Sequence, residues 1–224
     1  MLSTANGINR HVLITLRMHG PYELDGLVYE ESQGVYPFRE DSLLLFQAIQ
    51  PLLKGFRGVF LDMGCGTGLN GMAAAREGWA VLAVDREPKA LALSRGNLAL
   101  NGLKAEMVLS DLLEGVPGRW LGQVDLAAFN PPYLEPFGEL LEREELPLSG
   151  RGSPLSLTRR FLDEVASFLG RDGRAMVLVP HTWGDSELAL GTNLEPASRT
   201  AMEVRSSGER FDLLSLIRRS LSYE

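Results

Sequence analysis

Several things are scarce in this sequence, and each scarcity closes off a class of protein. There is one cysteine in 224 residues, Cys65, so an internal disulfide framework and a cysteine-rich zinc site are both excluded. No apolar run approaches the roughly 20 residues that a membrane helix needs. The opening residues, MLSTANGINRH, lack the apolar core of a signal peptide, which leads to the expectation of a cytoplasmic protein with no membrane association. Positive charge is in deficit: 22 Lys and Arg against 29 Asp and Glu give a net charge of −7. A dedicated nucleic-acid binder usually carries a basic face, so nucleic acid is the less favoured partner. Internal repeats and low-complexity linkers are absent. The three histidines, His11, His19 and His181, are scattered, and no metal site is expected. What remains is globular: 45% hydrophobic and 23% charged residues, in a chain long enough to bury a core without staples.

Short apolar runs alternate with helical patterns along the chain. Residues 57–62 (RGVFLD) read as a buried strand running into a glycine loop, and 68–77 as a helix. Then follow a strand at 80–85, a helix at 88–100 with Pro88 near its first turn, and strands at 105–109, 124–129 and 174–179. An amphipathic helix at 155–169 separates the last two. Continuous apolar strands alternating with helices predict a parallel sheet covered on both faces. The tail differs: strand-like runs at 199–205 and 211–218 are split by Ser206, Ser207, Gly208 and Glu209, the signature of an antiparallel hairpin closing one sheet edge. Before the first core strand, 41–53 reads as a helix, and 11–18 and 24–29 could each be short strands.

The chemistry sits at the strand ends. The first is Leu61-Asp62-Met63-Gly64-Cys65-Gly66-Thr67-Gly68, after a strand and opening a helix. Glycines there let the backbone turn sharply and approach a ligand closely. The dinucleotide fingerprint is G-x-G-x-x-G, whereas here Leu69 stands where its third glycine would fall, which weakens a nicotinamide or flavin reading. Asp85 ends the next strand, where a carboxylate can accept from both ribose hydroxyls; alone it would read as a helix cap ahead of Pro88. Asp111 ends the third, after Ser110. Its carboxylate can accept an adenine amino group while the Leu112 backbone meets the ring edge. Three such ends on the carboxyl edge of one sheet point to an adenosine-type ligand. The sharpest signal is Asn130-Pro131-Pro132-Tyr133 at the end of the fourth strand. Two prolines fix the backbone and leave carbonyls that no helix or strand will use. A planar NH2 group could donate to the Asn130 side-chain oxygen and the Pro131 carbonyl, with Tyr133 against its flat face.

The order LDMGCGTG, AVDR, SDLL, NPPY resembles that of class I S-adenosylmethionine-dependent N-methyltransferases. NPPY is similar to the motif shared by adenine-N6 and glutamine-N5 methyltransferases. Upstream, GVYPFREDSLLL (34–45) resembles the corresponding segment of the HemK/PrmC release-factor glutamine methyltransferases, most of all the short archaeal and eukaryotic branch. The resemblance implies a Rossmann-like α/β fold with a seven-stranded sheet, an N-terminal extension over 1–35 and a methyltransferase domain over 36–224. It also implies S-adenosyl-L-methionine as cofactor. Ser42 would sit near its methionine part, Asp62 and Gly64 at its amino-acid end, and Gly66 and Gly68 in the loop beneath it. Asp85 would hold the ribose, Asp111 and Leu112 the adenine. Asn130, Pro131 and Tyr133 would be the catalytic group, Asn130 also bordering the cofactor. Members of this branch can pair with a small zinc-binding activator, for which an apolar edge near the third strand is the place to look.

The implied reaction moves a methyl group from a sulfonium to an amide nitrogen, most simply the glutamine N5 of a peptide chain release factor. No histidine lies near the motifs, so catalysis would rest on placement. The segment 134–154, with Glu135, Glu139, Glu142, Glu144 and Glu145, follows the NPPY corner and reads as a solvated acidic helix or a lid attracting a basic partner. Two other functions stay open: methylation of an adenine or guanine base of RNA or DNA, which must first leave its stack, and a non-catalytic nucleotide-binding module.

Overall fold

A computed structural model describes residues 21–133, 153–184, 188, 193–204 and 206–219. A small hairpin, β1 (Tyr22–Leu24) and β2 (Leu27–Tyr29), comes first. Helix α1 (Glu40–Leu53) follows, then β3 (Val59–Met63), α2 (Leu69–Arg76), β4 (Ala80–Asp85), α3 (Pro88–Leu100), β5 (Glu106–Leu109) and β6 (Val124–Phe129). Helix α4 (Pro154–Phe168) leads directly into β7 (Leu169–Pro180), and β8 (Leu194–Glu203) and β9 (Arg210–Arg218) form the final hairpin. The main sheet has seven strands in the order β5-β4-β3-β6-β7-β9-β8. β3, β4, β5, β6 and β7 pair in parallel; β9 runs antiparallel to both β7 and β8. The expected α/β sheet with an antiparallel C-terminal hairpin is therefore the one found.

Strand residues alternate between two cores, as a sheet covered on both faces requires. On one face Leu61, Leu82, Ala127, Phe129 and Val177 pack with Phe161, Leu162 and Val165 of α4. On the other, Phe60, Val81, Leu126, Ala128 and Met176 pack with α1, α2 and α3. Helix α1 shows why tertiary burial outweighs local propensity here. It has no side-chain cap and carries Pro51 near its end, which costs about 3 kcal/mol in a helix interior. Leu45, Phe46, Ile49 and Leu53 are each at most 1% exposed, and burying each stabilises by about 1.5–3 kcal/mol.

Three elements differ from the sequence reading. Residues 24–29 are not one strand but the two arms of a hairpin, turned at Asp25 and Gly26, both with positive φ (50° and 75°). β7 starts at Leu169 rather than 174, because pairing with β6 resumes across an irregularity between Val124↔Leu169 and Leu126↔Arg174. β8 starts at Leu194 rather than 199: Pro196 sits at a bulge on the sheet's edge strand, the one setting where proline is tolerated. Arg205, the expected end of that strand, lies outside the described residues, as do residues 11–18.

Candidate active site

The chain climbs from β3 outward to β4 and β5, then returns to place β6 against the other side of β3. A ligand crevice is expected at such a switch of direction. A cavity of about 400 Å³ lies there, within the roughly 300–1,000 Å³ usual for small-molecule sites. Its wall brings together the glycine loop after β3, the end of β4, the turn after β5, the corner after β6 and the first turn of α1. Gly34 to Phe38 and the start of α4, Ser153 and Pro154, complete it. Of the residues singled out from sequence, Ser42, Gly64, Gly66, Asp85, Asp111, Leu112, Asn130, Pro131 and Tyr133 line this cavity.

Asp62 and Gly68 are not on the wall, in contrast to the expectation that they meet a ligand. Asp62 points into the sheet–helix interface, 1% exposed, and accepts from the Gly71 N–H at 2.9 Å. Desolvation lifts its carboxyl to about 7. Gly68 is needed for a different reason than ligand approach. Its φ of 82° is left-handed, and a Cβ there would lie 2.4 Å from Ser94 Oγ on α3. Both residues shape the loop from behind.

Asp85 is 8% exposed and already holds two backbone donors: Gly66 N–H at 3.1 Å on Oδ2 and Glu87 N–H at 2.9 Å on Oδ1. Burial pushes its carboxyl above the usual range, and these N–H groups pull it back. Each oxygen keeps a lone pair for a hydroxyl donor. In the turn after β5, Leu112 has φ 50°, a left-handed conformation costly for a residue with a Cβ. The neighbouring N–H groups are engaged: Leu113 with Glu164 Oε2 at 2.9 Å, Glu114 with the Asp111 carbonyl at 3.4 Å and Gly115 with Ser110 Oγ at 2.8 Å. Asp111 faces Arg160, whose Nη1 lies 3.8 Å from Oδ2.

The corner after β6 contains a residue whose role is not visible in its motif. Asn130 donates from Nδ2 to Asp41 Oδ2 at 2.8 Å. Asp41 lies in the first turn of α1 and is 5% exposed. This bond holds the amide with Nδ2 toward Asp41 and Oδ1 away from it. Asn130, a lining residue of the cavity, is thereby left with a buried Oδ1 that has no hydrogen-bond partner. The Tyr133 hydroxyl also bonds to Asp41, and burial pushes it far above the ordinary tyrosine value. The Tyr133 ring meets Phe211 of β9 edge-on, centroids 4.9 Å apart. Tyr36, raised to about 12 mainly by burial, continues the network through Tyr133. The sequence signal for Asp41 was an acid at the head of a helix face that otherwise carries Leu45, Phe46 and Ile49; it reads equally as a favourable charge at a helix start.

Other groups stand apart. His181 pairs with Asp212 through Nδ1 at 2.9 Å, while His11, His19 and the acidic segment 134–152 lie outside the described residues. The Cys65 thiol is buried and pushed well up, which suits packing rather than nucleophilic work. Among the described residues no cluster of His, Cys, Asp or Glu could hold a metal ion, and no helix is long and apolar enough to cross a membrane. The edge strand β5, the place to look for an activator subunit, exposes Leu109 at 58%.

Residues 38–142 match the family described as methyltransferase small domain. The chain is 30% identical over 186 residues to a putative protein N5-glutamine methyltransferase of Methanocaldococcus jannaschii, covering 79% of this chain and 90% of that protein. It is 37% identical over 106 residues to the release factor glutamine methyltransferase of Deinococcus radiodurans, covering 46% of this chain and 37% of that one. Over 134 residues it is 33% identical to the ribosomal RNA small subunit methyltransferase C of Alcanivorax borkumensis, covering 60% of this chain and 36% of that one. It thus spans little more than a third of these last two relatives. Among solved structures, the Thermus thermophilus 16S rRNA N2 G1207 methyltransferase, in complex with AdoMet and guanosine, superposes with a TM-score of 0.67 at 20% identity over 89% of this chain and 50% of that one.

Proposed function

Because the chain belongs to the class I, HemK/PrmC-like methyltransferases, whose cofactor is S-adenosyl-L-methionine, we propose that it methylates the side-chain nitrogen of a protein glutamine, with a peptide chain release factor as the substrate. The residues present fit the cofactor. Asp85 would accept from the ribose hydroxyls; Asp111 and the Leu112 N–H would meet the adenine. Gly64 and Gly66, both with positive φ on the wall, leave room for the chain between them, and Ser42 borders its methionine part. Bound there, the cofactor would supply an electrophilic methyl on a sulfonium, and the nitrogen that accepts it would give up a proton to water.

The observation that carries the reading is the unpartnered Asn130 Oδ1. It demands a donor, and a primary amide or exocyclic amine supplies one. Asn130 Oδ1 would take one N–H of that group and the Pro131 carbonyl the other, aiming the nitrogen lone pair and stabilising the positive charge that grows as it attacks. Among the described residues no histidine lines the cavity. The proposed catalysis is therefore placement, for which effective molarities on the order of 10⁵ M or more are known. The choice of a glutamine rests on the match that extends over 90% of the glutamine-type relative and on the net charge of −7, which suits a basic protein surface better than a phosphate backbone.

A second reading has its own support in the ribosomal RNA methyltransferase similarity, since a guanine or adenine amino group is also a flat NH2. Tritiated cofactor incubated with release factor and, separately, with ribosomal RNA decides between them. Label in a release-factor glutamine is expected; label confined to RNA would overturn the glutamine reading in favour of the base. Asn130→Ala is expected to abolish incorporation while S-adenosylhomocysteine still binds.

A further inference from the structure

A second asparagine stands on the same cavity wall, held in the same way as Asn130. Asn70, in the first turn of α2, lines the cavity with Gly64 and Gly66. Its side chain is hydrogen-bonded to the Asp62 carboxylate behind the wall. Asp62 Oδ2 also accepts from the Gly71 N–H at 2.9 Å, which ties this carboxylate to the start of α2. That bond pulls the Asp62 carboxyl down against the lift from burial, as only a donor does, so Asn70 presents Nδ2 to Asp62. Its Oδ1 is then turned away, and it is buried without a hydrogen-bond partner. Buried carbonyl oxygens are seldom left so, because the unmade bond is costly.

Only a donor satisfies that oxygen. With the ribose at Asp85 and the adenine at Asp111, the part of the cofactor left for the glycine loop and α2 is its amino-acid end. That end carries one donor, the α-ammonium; its carboxylate is an acceptor and gains nothing from a carbonyl oxygen. We propose that Asn70 is a cofactor-binding residue whose Oδ1 accepts a hydrogen bond from the α-ammonium of S-adenosylmethionine, and that Asp62 is the positioning residue that aims it. This rests on the cofactor placement above and is independent of which acceptor is methylated. The pattern Asp62…Asn70 at the head of the glycine loop thus has a job that the glycines alone do not reveal.

Calorimetry with three ligands tests it: S-adenosylhomocysteine, the same molecule lacking only its α-amino group, and 5′-methylthioadenosine, which lacks the amino-acid end altogether. A hydrogen bond to a charged group contributes about 1.5–3 kcal/mol, or about 10–100-fold in affinity. Asn70→Leu and Asn70→Ala are each expected to weaken S-adenosylhomocysteine by about that factor and to leave the other two ligands within about twofold. The ratio between ligands is read within each variant, so a partly folded preparation gives the same answer. Unchanged binding of S-adenosylhomocysteine, or an equal loss for all three ligands, would overturn the proposal. Asp85→Ala should weaken all three alike. If it weakens none, the cofactor placement itself is wrong and the role of Asn70 falls with it.

Discussion

Replacing Asp41 with leucine removes the group that dictates which end of the Asn130 amide faces the cavity. Asn130 Nδ2 loses its 2.8 Å acceptor in a position where Asp41 is 5% exposed, leaving a buried donor unpaired at a cost of about 1–3 kcal/mol. Turning the amide over would satisfy Nδ2 elsewhere but would present N–H donors to a substrate that also donates. The acceptor that steadies charge at the reacting nitrogen is then lost. Removal of one such preorganised group costs about 2.7–4 kcal/mol, or about 10²–10³ in kcat. Asp41→Asn is the informative control, since its Oδ1 can still accept from Asn130 Nδ2. Labelled-methyl transfer at saturating cofactor, with S-adenosylhomocysteine affinity measured alongside, reads the difference. The leucine variant should lose about 10²–10³ in kcat and the asparagine variant about tenfold or less, by the same reasoning. Cofactor affinity should barely move in either. A leucine variant that turns over as fast as the native enzyme would refute the view that Asn130 works through a fixed orientation.

Two further outcomes test the scaffold behind the cavity. Gly68→Ala puts a Cβ 2.4 Å from Ser94 Oγ at a residue with φ 82°; overpacking and left-handed strain together cost about 2–5 kcal/mol, so thermal unfolding should drop by at least about 4 °C, and an unchanged midpoint would contradict the close α2–α3 approach. Asp62 should make stability fall with pH. Its carboxyl is near 7 when folded and about 3.9 when unfolded, so the folded state holds the proton more tightly. The stability this confers is complete below about pH 4 and is lost as pH rises through 7, by at most about 4 kcal/mol. Denaturant titrations across that window should slope less in Asp62→Asn, and identical slopes would exclude the effect.

The elements whose ends are marked by local chemistry were legible in the sequence. β4, β6 and α3 occupy 80–85, 124–129 and 88–100 as read, because Asp85 and Asn130 close the strands and Pro88 opens the helix. The Asp25–Gly26 turn was legible in principle, since a two-residue Asp-Gly between apolar runs favours the two positive φ values observed. Strand β8 was not, because a proline is tolerated only once the strand is known to lie at an edge.

By itself, the order of residues determined the alternation of strands and helices, and with it the gathering of four strand-end motifs on one edge of a parallel sheet. Periodicity and turn chemistry are local properties, and they survive without knowledge of neighbours. Tertiary structure alone decided which polar atoms meet. Asp41 and Asn130 are 89 positions apart, and nothing in either segment announces the other. Packing of α1 against the end of β6 makes them a pair, just as the seating of α2 on β3 turns Asp62 and Gly68 away from the cavity and leaves Asn70 facing it. Whether a donor or acceptor is satisfied or left waiting depends on burial, and burial is a property of the assembled sheet rather than of any stretch of chain.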